Sequence, residues 1–477
     1  MTSLRTDMVK PVSSLASLAK EFGCQHLGDD VNPKSVAMSS SFCEPGSLFI
    51  AVQGEKKHGL DFLVDARNRG AIALLTDRAG DYDLPTLVHP DPRAIAGLIA
   101  KQVYQTPSTG LLAVTGTNGK TSTAFYLHRL LNACAISAGL VSSAAQIIGD
   151  QVSASELTTP EAPRVHHLLS QMRQHGQSQA ALEVSAQALV RHRVDGLRFE
   201  VAGFSNLSRD HLDDFGTMEN YLAAKAKLFD SSFSDKAVIN VEDEYGLQLY
   251  NSVSIPKVGI GEGLDYQASY EDGTLTIAGK SDLSISFSQG FLMSKNFALA
   301  LVMLLEMGID RNLLKTAATE IDLQIPGRLE RVSDKTPAVY VDYAHTPAGV
   351  AAAVSELKSK FKRLVVVLGA SGNRDKGKRA EMALACAGAQ AIVVTDQHPR
   401  DEDPSEIRST LIGAAKTLKV ELVEEANPAK AIAKAISLAG DGAVLWCGPG
   451  QLKYREIKGE KVPFDAIAVA REAVENA

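Results

Sequence analysis

Most of this chain alternates short apolar runs with segments of helical period. In residues 108–325 the runs LLAV, AALEV, VAGF and AVINV are each followed by a helix-like stretch such as STAFYLHRLLNACAIS. The scheme repeats in residues 326–477, with AVYVD, RLVVVLG, AIVVTD and AVLWC. Such alternation predicts parallel strands joined by crossover helices, and runs that are apolar throughout are typical of strands covered on both faces. We therefore predict an α/β fold.

A third block precedes these two. Residues 1–107 have short apolar runs between turn residues and close at YQTPSTG, which indicates a small mixed α/β unit. A chain of 477 residues is also too long for one core. We predict three domains, covering residues 1–107, 108–325 and 326–477.

Bulk composition excludes several classes of partner. The formal net charge of −7 gives no general attraction to nucleic acid or to an anionic membrane. The five cysteines are scattered and show no C-x-x-C spacing, which argues against a disulfide framework or a zinc site. No signal peptide and no run of about 18 apolar residues is recognisable. We expect a cytoplasmic, monomeric protein that binds neither nucleic acid nor membranes.

The stretch GTNGKTS, residues 116–122, follows the first strand of the central block. A strand, a glycine-rich turn, Lys-Thr and a helix form a cradle whose backbone N–H groups and lysine hold phosphate, while the threonine faces Mg²⁺. The usual pattern would have a glycine at Val114, so the loop is shorter than the common one. A tight turn with an incidental lysine is the alternative. With such a cradle, the central domain is expected to be P-loop ATPase-like.

Further polar residues follow the other predicted strands, where ligands of open α/β sheets collect. Glu183, Asp210 and His211 are candidate metal ligands, although each could be a hydrogen-bonded structural residue. The third block adds the charged residues Arg328, Asp342, His345, Arg374 and Arg400. Arginines suit bidentate contacts to carboxylates or phosphates. In the run RDKGKR, a solvated loop is the simpler interpretation for Lys376, Lys378 and Arg379.

Lys225 lies on the apolar face of a predicted helix, whereas Lys227 points to the other side. A buried ammonium is costly unless it is paired or chemically modified. A lysine that extends its charged group to water is the alternative.

Taken together, these segments resemble the Mur ligase family, in particular its members that make the UDP-MurNAc-tripeptide. The matching pieces occur in family order: GTNGKTST, LTTPEA, LEVSAQALVRHRVDG, FSNLSRDHLDDFGTMENYLAAKAKLF, PGRLE, VDYAHTP, GASGNRDKGKR and TDQHPRDEDP. The resemblance implies an ATP- and Mg²⁺-dependent ligase of peptidoglycan synthesis. Its N-terminal domain would bind UDP-MurNAc, its central domain ATP, and its C-terminal domain, expected to be Rossmann-like, the incoming amino acid. Such an enzyme phosphorylates the D-glutamate carboxylate of UDP-MurNAc-L-Ala-D-Glu, and the amine of a free diamino acid attacks the acyl phosphate.

The resemblance also implies site residues by position. The catalytic set would be Lys120, Glu183, His211 and Lys225, with Lys225 carbamylated. Metal would be held by Thr121, Glu183, His211 and Lys225. ATP would be bound by Gly116, Thr117, Asn118, Gly119, Lys120, Thr121, Ser122, Asn296, Arg328 and Asp342. The other substrates would be bound by Ser40, Thr158, Thr159, Ser185, Arg193, Arg374, His398, Arg400 and Gly448.

The chain departs from the family pattern at two places. Ser39, Ser40 and Ser41 replace the usual Asp-Ser-Arg of the uridine side. Diaminopimelate enzymes have Asp-Asn-Pro-Arg where this chain has QHPR (397–400), and a glutamate where it has Leu452. The amino acid therefore stays open between meso-diaminopimelate and a relative such as L-lysine or L-ornithine. A folylpolyglutamate synthetase and an ATP-binding regulatory protein are the alternatives.

Overall fold

The computed structural model describes residues 13–54, 56–106 and 110–477. Its strands, in chain order, are β1 Gln25–Leu27, β2 Ser35–Ala37, β3 Ser47–Ala51, β4 Ala71–Thr76, β5 Thr86–Val88, β6 Leu111–Thr115, β7 Ala138–Val141, β8 Gln146–Ile148, β9 Gln151–Ser153, β10 Gln179–Glu183, β11 Val201–Phe204, β12 Ala237–Asn240, β13 Lys257–Ile260, β14 Tyr266–Glu271, β15 Thr274–Gly279, β16 Leu283–Ser286, β17 Glu330–Arg331, β18 Ala338–Asp342, β19 Leu364–Leu368, β20 Ala391–Val394, β21 Glu421–Glu424, β22 Ala443–Cys447, β23 Tyr454–Ile457 and β24 Glu460–Pro463.

The helices are α1 Leu15–Phe22, α2 Leu63–Asn68, α3 Pro92–Tyr104, α4 Lys120–Ala133, α5 Ala162–Gln174, α6 Ala186–Val190, α7 Leu212–Phe215, α8 Met218–Ala226, α9 Glu244–Ser252, α10 Phe291–Glu306, α11 Arg311–Glu320, α12 Pro347–Lys360, α13 Gly377–Leu384, α14 Pro404–Ala415, α15 Pro428–Ala439 and α16 Ala466–Glu475. Four of them, α3, α12, α14 and α15, begin with a capping Asp, Thr or Asn followed by proline. The cap satisfies a free backbone N–H, and proline fixes the first helical φ angle. None of the described helices is long and apolar enough to cross a membrane.

The chain forms two compact units. The first comprises the described residues of 1–112, together with 136–200 and 231–235. It contains a five-stranded sheet in the order β1-β5-β4-β3-β2, parallel except for β1. It also contains β10 parallel to β7, and the antiparallel strands β8 and β9. Two clusters of buried side chains cover the five-stranded sheet.

The second unit comprises residues 113–135, 201–230 and 236–477. Strands β11 to β14 are parallel neighbours, and β14, β15 and β16 form an antiparallel meander. A six-stranded sheet follows in the order β17-β18-β22-β19-β20-β21, parallel except for β17. Along β19, Leu364, Val366 and Leu368 pack into one core cluster and Val365 and Val367 into another. Successive side chains of a strand point to opposite faces, so this sheet is covered on both sides.

The α/β class predicted from the sequence is confirmed, and the apolar runs singled out there form strands. The sequence interpretation missed the antiparallel strands β8, β9, β15 and β16, which extend the parallel arrangement. In β15 and β16, exposed side chains alternate with more buried ones, which is the weaker pattern of a half-exposed strand. The predicted boundary at 107/108 lies outside the described residues.

Candidate functional site

The glycine-rich loop lies between β6 and α4, in the second unit. Gly116 and Gly119 have φ angles of 144° and 86°. A Cβ atom on Gly116 would lie 2.0 Å from Ser205 Oγ, and one on Gly119 would lie 2.0 Å from Asn296 Oδ1. Only glycine fits both positions, because a side chain would be strained and would displace its neighbour. Asn296, predicted to bind ATP, therefore lies against this loop.

The segment that follows β11 holds the loop in place. Thr117 N donates to Asn206 O (2.8 Å), and Asn118 N donates to Asn206 Oδ1 (3.0 Å). Ser205 Oγ donates to Asn118 O (2.6 Å). Ser205 and Asn206 belong to the family-like segment that begins FSNLSRDH, but neither was predicted to have a role. Their partners are far away in the sequence, so no local pattern could have found them.

Two lysines meet at one carbonyl oxygen of the loop. Lys120 Nζ donates to Gly116 O (3.0 Å) and to Thr117 O (2.9 Å). Lys225 Nζ donates to the same Gly116 O (2.7 Å) and lies 4.3 Å from the centre of the Tyr221 ring. Two ammonium groups beside the N-terminus of α4 create a strongly positive local field. This arrangement is suited to bind an anion such as a polyphosphate.

Lys225 is 1% exposed, whereas Lys227 is exposed, so the predicted orientation of the two lysines is confirmed. The alternative, that Lys225 extends its ammonium group to water, is wrong. Tyr221 and the loop carbonyl supply the contacts that a buried cation requires. Ser122 and Thr121, on the first turn of α4, are buried as well.

His211 lies beside a buried carboxylate, that of Asp210, which is 3% exposed. Asp210 Oδ2 is 3.3 Å from His211 Nε2 and 3.6 Å from His345 Nε2, and Lys378 Nζ donates to Asp210 Oδ1 (2.8 Å). Burial alone would raise the pKa of Asp210, but its hydrogen bond to His345 and the nearby positive groups hold it well below its usual range. Burial lowers the pKa of His211 to about 4, although Asp210 opposes that shift. His211 is thus a neutral imidazole at pH 7, the form that binds metals.

The interpretation of RDKGKR as a solvated run is wrong for two of its residues. Lys378 and Arg379 are 8% and 3% exposed. Lys378 is paired with Asp210, as described above. Arg379 makes two parallel hydrogen bonds of 2.9 Å to Glu402 and helps to lower the pKa of that carboxyl to about 2. Arg374, by contrast, is exposed.

Arg328 connects the C-terminal part of this unit to the loop. Its Nη2 donates to Thr121 Oγ1 (2.9 Å), and its guanidinium lies 4.5 Å from the centre of the Tyr343 ring. Asp342 accepts from Leu329 N and Ala344 N, both at 2.6 Å, and so fixes the turn that carries Arg328. Burial raises the pKa of Asp342, although Arg328 opposes that shift. Lys120, Lys225 and Asn296 therefore contact the loop. Arg328 binds Thr121 at the end of the loop, and Asp342 fixes the turn that carries Arg328.

The residues predicted for the end of the C-terminal domain also lie in the second unit. Burial, assisted by the Arg400 and Arg455 cations, lowers the pKa of His398 to about 4, and His398 Nδ1 accepts from Glu456 N (3.0 Å). Arg400 Nε lies 3.0 Å from a Glu456 carboxylate oxygen. A Cβ atom on Gly448 would lie 2.3 Å from the Gln397 amide. These residues form one cluster, which includes the unpredicted Glu456.

The remaining predicted residues lie in the first unit, where Thr159 links three of them. Thr159 Oγ1 donates to Glu183 O (2.9 Å) and accepts from Ser185 N (3.1 Å), and Arg193 Nη1 donates to Thr159 O (3.3 Å). Arg193 Nη2 is also 3.0 Å from a carboxylate oxygen of Glu161.

The Glu183 carboxylate and two further positions of the first unit complete the predicted set. The Glu183 carboxylate accepts from Ser143 N (2.8 Å). Thr158 is partly exposed, next to the buried Thr159. Ser40 hydrogen-bonds to the Asp65 carboxylate and lowers the pKa of that group.

Known proteins are similar to this chain over almost its whole length. The domain families "Mur ligase family, catalytic domain", "Mur ligase middle domain" and "Mur ligase, glutamate ligase domain" match residues 32–106, 114–285 and 327–450. A UDP-N-acetylmuramyl-tripeptide synthetase of Leifsonia xyli subsp. xyli is 42% identical, over 97% of this chain and 96% of the relative. The chain belongs to the Mur ligase family.

Two other Mur ligases agree with this assignment. The UDP-N-acetylmuramoyl-L-alanyl-D-glutamate--2,6-diaminopimelate ligase of Streptomyces avermitilis is 36% identical, over 97% of this chain and 96% of that protein. A solved structure of an enzyme with the same activity name aligns with a TM-score of 0.62 at 26% identity, over 93% of this chain and 95% of that one. The resemblance seen in the sequence is therefore confirmed. As a Mur ligase, the protein is an ATP-dependent amide ligase.

Proposed function

We propose that this Mur ligase adds a diamino acid, as the third residue, to UDP-MurNAc-L-Ala-D-Glu during peptidoglycan precursor synthesis. The full-length similarity to a tripeptide synthetase supports this substrate. The convergence of Lys120 and Lys225 on Gly116 O is the observation that carries the chemistry. It supplies two positive charges where a triphosphate can be held.

The reaction has two steps. An oxygen of the D-glutamate side-chain carboxylate attacks the γ-phosphorus of ATP, which gives an acyl phosphate and ADP. The amine of the incoming amino acid then attacks the carbonyl carbon, the C–O bond to phosphate breaks, and the amine loses its proton as the amide forms. Lys120, Lys225 and Arg328 would neutralise the phosphate charge, since positioning and charge stabilisation supply most of the rate in phosphoryl transfer.

The donors of the second unit fit a metal bound together with phosphates. Thr121 offers a hydroxyl oxygen and His211 a neutral imidazole, whereas Lys225, as an ammonium group, donates hydrogen bonds and could ligate only as a carbamate. Among the described residues, no group of three or more His, Cys, Asp or Glu side chains could hold a metal. Mg²⁺ commonly takes few protein ligands and several phosphate oxygens, and it would supply further charge neutralisation. Glu183 is proposed as a ligand from the family pattern alone.

The incoming amino acid would bind near His398, Arg400 and Gly448. A diamino acid of the meso-diaminopimelate or L-lysine type is proposed. Leu452 has no charge to pair with a distal ammonium, whereas the nearby Glu456 carboxylate is paired with Arg400. The ligation assay below therefore tests both types.

The test is a ligation assay with the purified full-length chain. ATP, Mg²⁺ and UDP-MurNAc-L-Ala-D-Glu are combined with meso-diaminopimelate, L-lysine or L-ornithine, one at a time. We expect ADP release that requires both the nucleotide dipeptide and a diamino acid, and mass spectrometry should find the matching nucleotide tripeptide. ADP release with a folate and L-glutamate instead, or ATP hydrolysis that needs no acceptor, would contradict the proposal.

A further inference from the structure

The Arg328 guanidinium is fixed from three directions. Nη2 donates to Thr121 Oγ1 (2.9 Å), Nη1 donates to Gln451 Oε1 (2.8 Å), and the Tyr343 ring lies 4.5 Å away. Nη1 also donates to Gly327 O (3.1 Å). Hydrogen bonds from both terminal nitrogens of the planar group fix its rotation, and the ring fixes its plane. The Gln451 amide is neutral. It therefore orients the guanidinium and leaves its positive charge in place, whereas a carboxylate would cancel that charge.

The backbone on which Gln451 lies is itself closely packed. Gly448 N and Gly450 N both donate to Asp342 O, at 2.8 and 3.2 Å. Gly327 has a φ angle of 63°, and a Cβ atom there would lie 2.2 Å from Gln451 N. A Cβ atom on Gly450 would lie 2.6 Å from the Tyr343 ring. Backbone contacts thus fix the position from which Gln451 binds Arg328.

We propose that Gln451 is a positioning residue of the nucleotide site, which orients Arg328 over the first turn of α4. The inference builds on the proposed function, in which Arg328 contacts ATP. It gives segment 448–452, which the sequence associates with the incoming amino acid, a second task at the phosphates. One short segment then links the two substrates of the ligation.

Direct nucleotide binding tests the inference without requiring ligation. The affinity of a non-hydrolysable ATP analogue, with Mg²⁺, is measured by calorimetry for the wild type, Gln451→Met and Gln451→Glu. Methionine keeps the shape but removes the acceptor, so the affinity should fall about tenfold, the usual effect of losing a hydrogen bond to a charged group. Glutamate keeps an acceptor for Arg328 but cancels its positive charge, so the affinity of Gln451→Glu should be at least as low as that of Gln451→Met. Gln390→Met is the matched control, since Leu364 N donates to Gln390 Oε1 (2.7 Å) within the same unit.

A double-mutant cycle with Arg328→Met separates positioning from a general loss of packing. If Gln451 acts through Arg328, adding Gln451→Met to Arg328→Met should not lower the affinity for the ATP analogue any further. In the ligation assay, Gln451→Met should raise the KM for ATP and leave the KM for the nucleotide dipeptide unchanged. The inference would be overturned if the wild type and Gln451→Met bound the analogue equally well. It would also be overturned if Gln451→Met lowered the affinity as much in the Arg328→Met background as in the wild type. An absence of ligation with intact analogue binding would instead count against the proposed function.

Discussion

At the scale of single residues, the central feature is that Lys120 and Lys225 donate to one carbonyl oxygen, that of Gly116. Like charges this close repel each other, and an anion placed between them relieves the repulsion. A bound triphosphate would do so where charge develops during phosphoryl transfer. The same two residues lie 105 positions apart in the chain, and only the fold brings them together.

The first prediction concerns Lys225. Replacing it with methionine keeps the volume of this buried side chain but removes its charge, so ADP-forming turnover should fall by about a hundredfold or more. Lys227→Met is the control, because Lys227 is exposed only two positions away and should keep wild-type turnover. Steady-state ADP release measures both variants. Wild-type turnover in Lys225→Met would show that the buried ammonium has no part in the reaction.

The second prediction concerns pH. His166 is fully buried, with Nδ1 2.8 Å from Thr106 Oγ1, and burial lowers its pKa to about 4. Its pKa in the unfolded chain is about 6.5, so between these values the unfolded state binds a proton that the folded state does not. The folded state should therefore lose roughly 3 kcal/mol as the pH falls from about 6.5 to about 4.

Urea unfolding at several pH values measures this effect. The variant His166→Gln should show a shallower pH dependence of the unfolding free energy than the wild type. His175→Gln, at an exposed histidine, should keep the wild-type dependence. An identical slope for His166→Gln and the wild type would contradict the assignment.

At the scale of elements, the loop between β6 and α4 depends on its glycines, and Gly119 can be compared with Gly308. Their φ angles are 86° and 92°, but a Cβ atom meets Asn296 Oδ1 at 2.0 Å in the first case and nothing within 4 Å in the second. Alanine at either position should cost about 1–2 kcal/mol of stability for the left-handed backbone. Only Gly119→Ala should also weaken nucleotide binding, because it displaces Asn296. Equal nucleotide affinities of the two variants would argue against a role for this contact.

The same scale shows which elements a sequence can predict. Strand β19 was predictable because its residues are apolar without exception, and both faces are indeed buried. The burial of Lys225 was predictable because this lysine lies on the helical face that carries the apolar residues. Lys378 and Arg379 were not, because their partners Asp210 and Glu402 are supplied by distant segments. A local charge run looks the same whether its partners are water or buried carboxylates.

At the scale of the whole molecule, a net charge of −7 means that anionic substrates are not attracted by the surface as a whole. Binding must come from local arrangements such as the glycine-rich loop with its two lysines. Motifs spread over the chain were enough to indicate the family, because their order is specific. The hydrogen bonds that hold the loop depend on the fold and were found only in the structure: Ser205 donates to the loop, and Asn206 accepts from it.

The central claim is that this site activates a peptide carboxylate as an acyl phosphate. The most direct measurement uses UDP-MurNAc-L-Ala-D-Glu labelled with ¹⁸O in the side-chain carboxylate of glutamate, together with ATP, Mg²⁺ and the accepted amino acid. The oxygen that attacks the γ-phosphorus leaves with the phosphate, so the account predicts one ¹⁸O atom in each phosphate released. Unlabelled phosphate, released at the rate of amide formation, would contradict it.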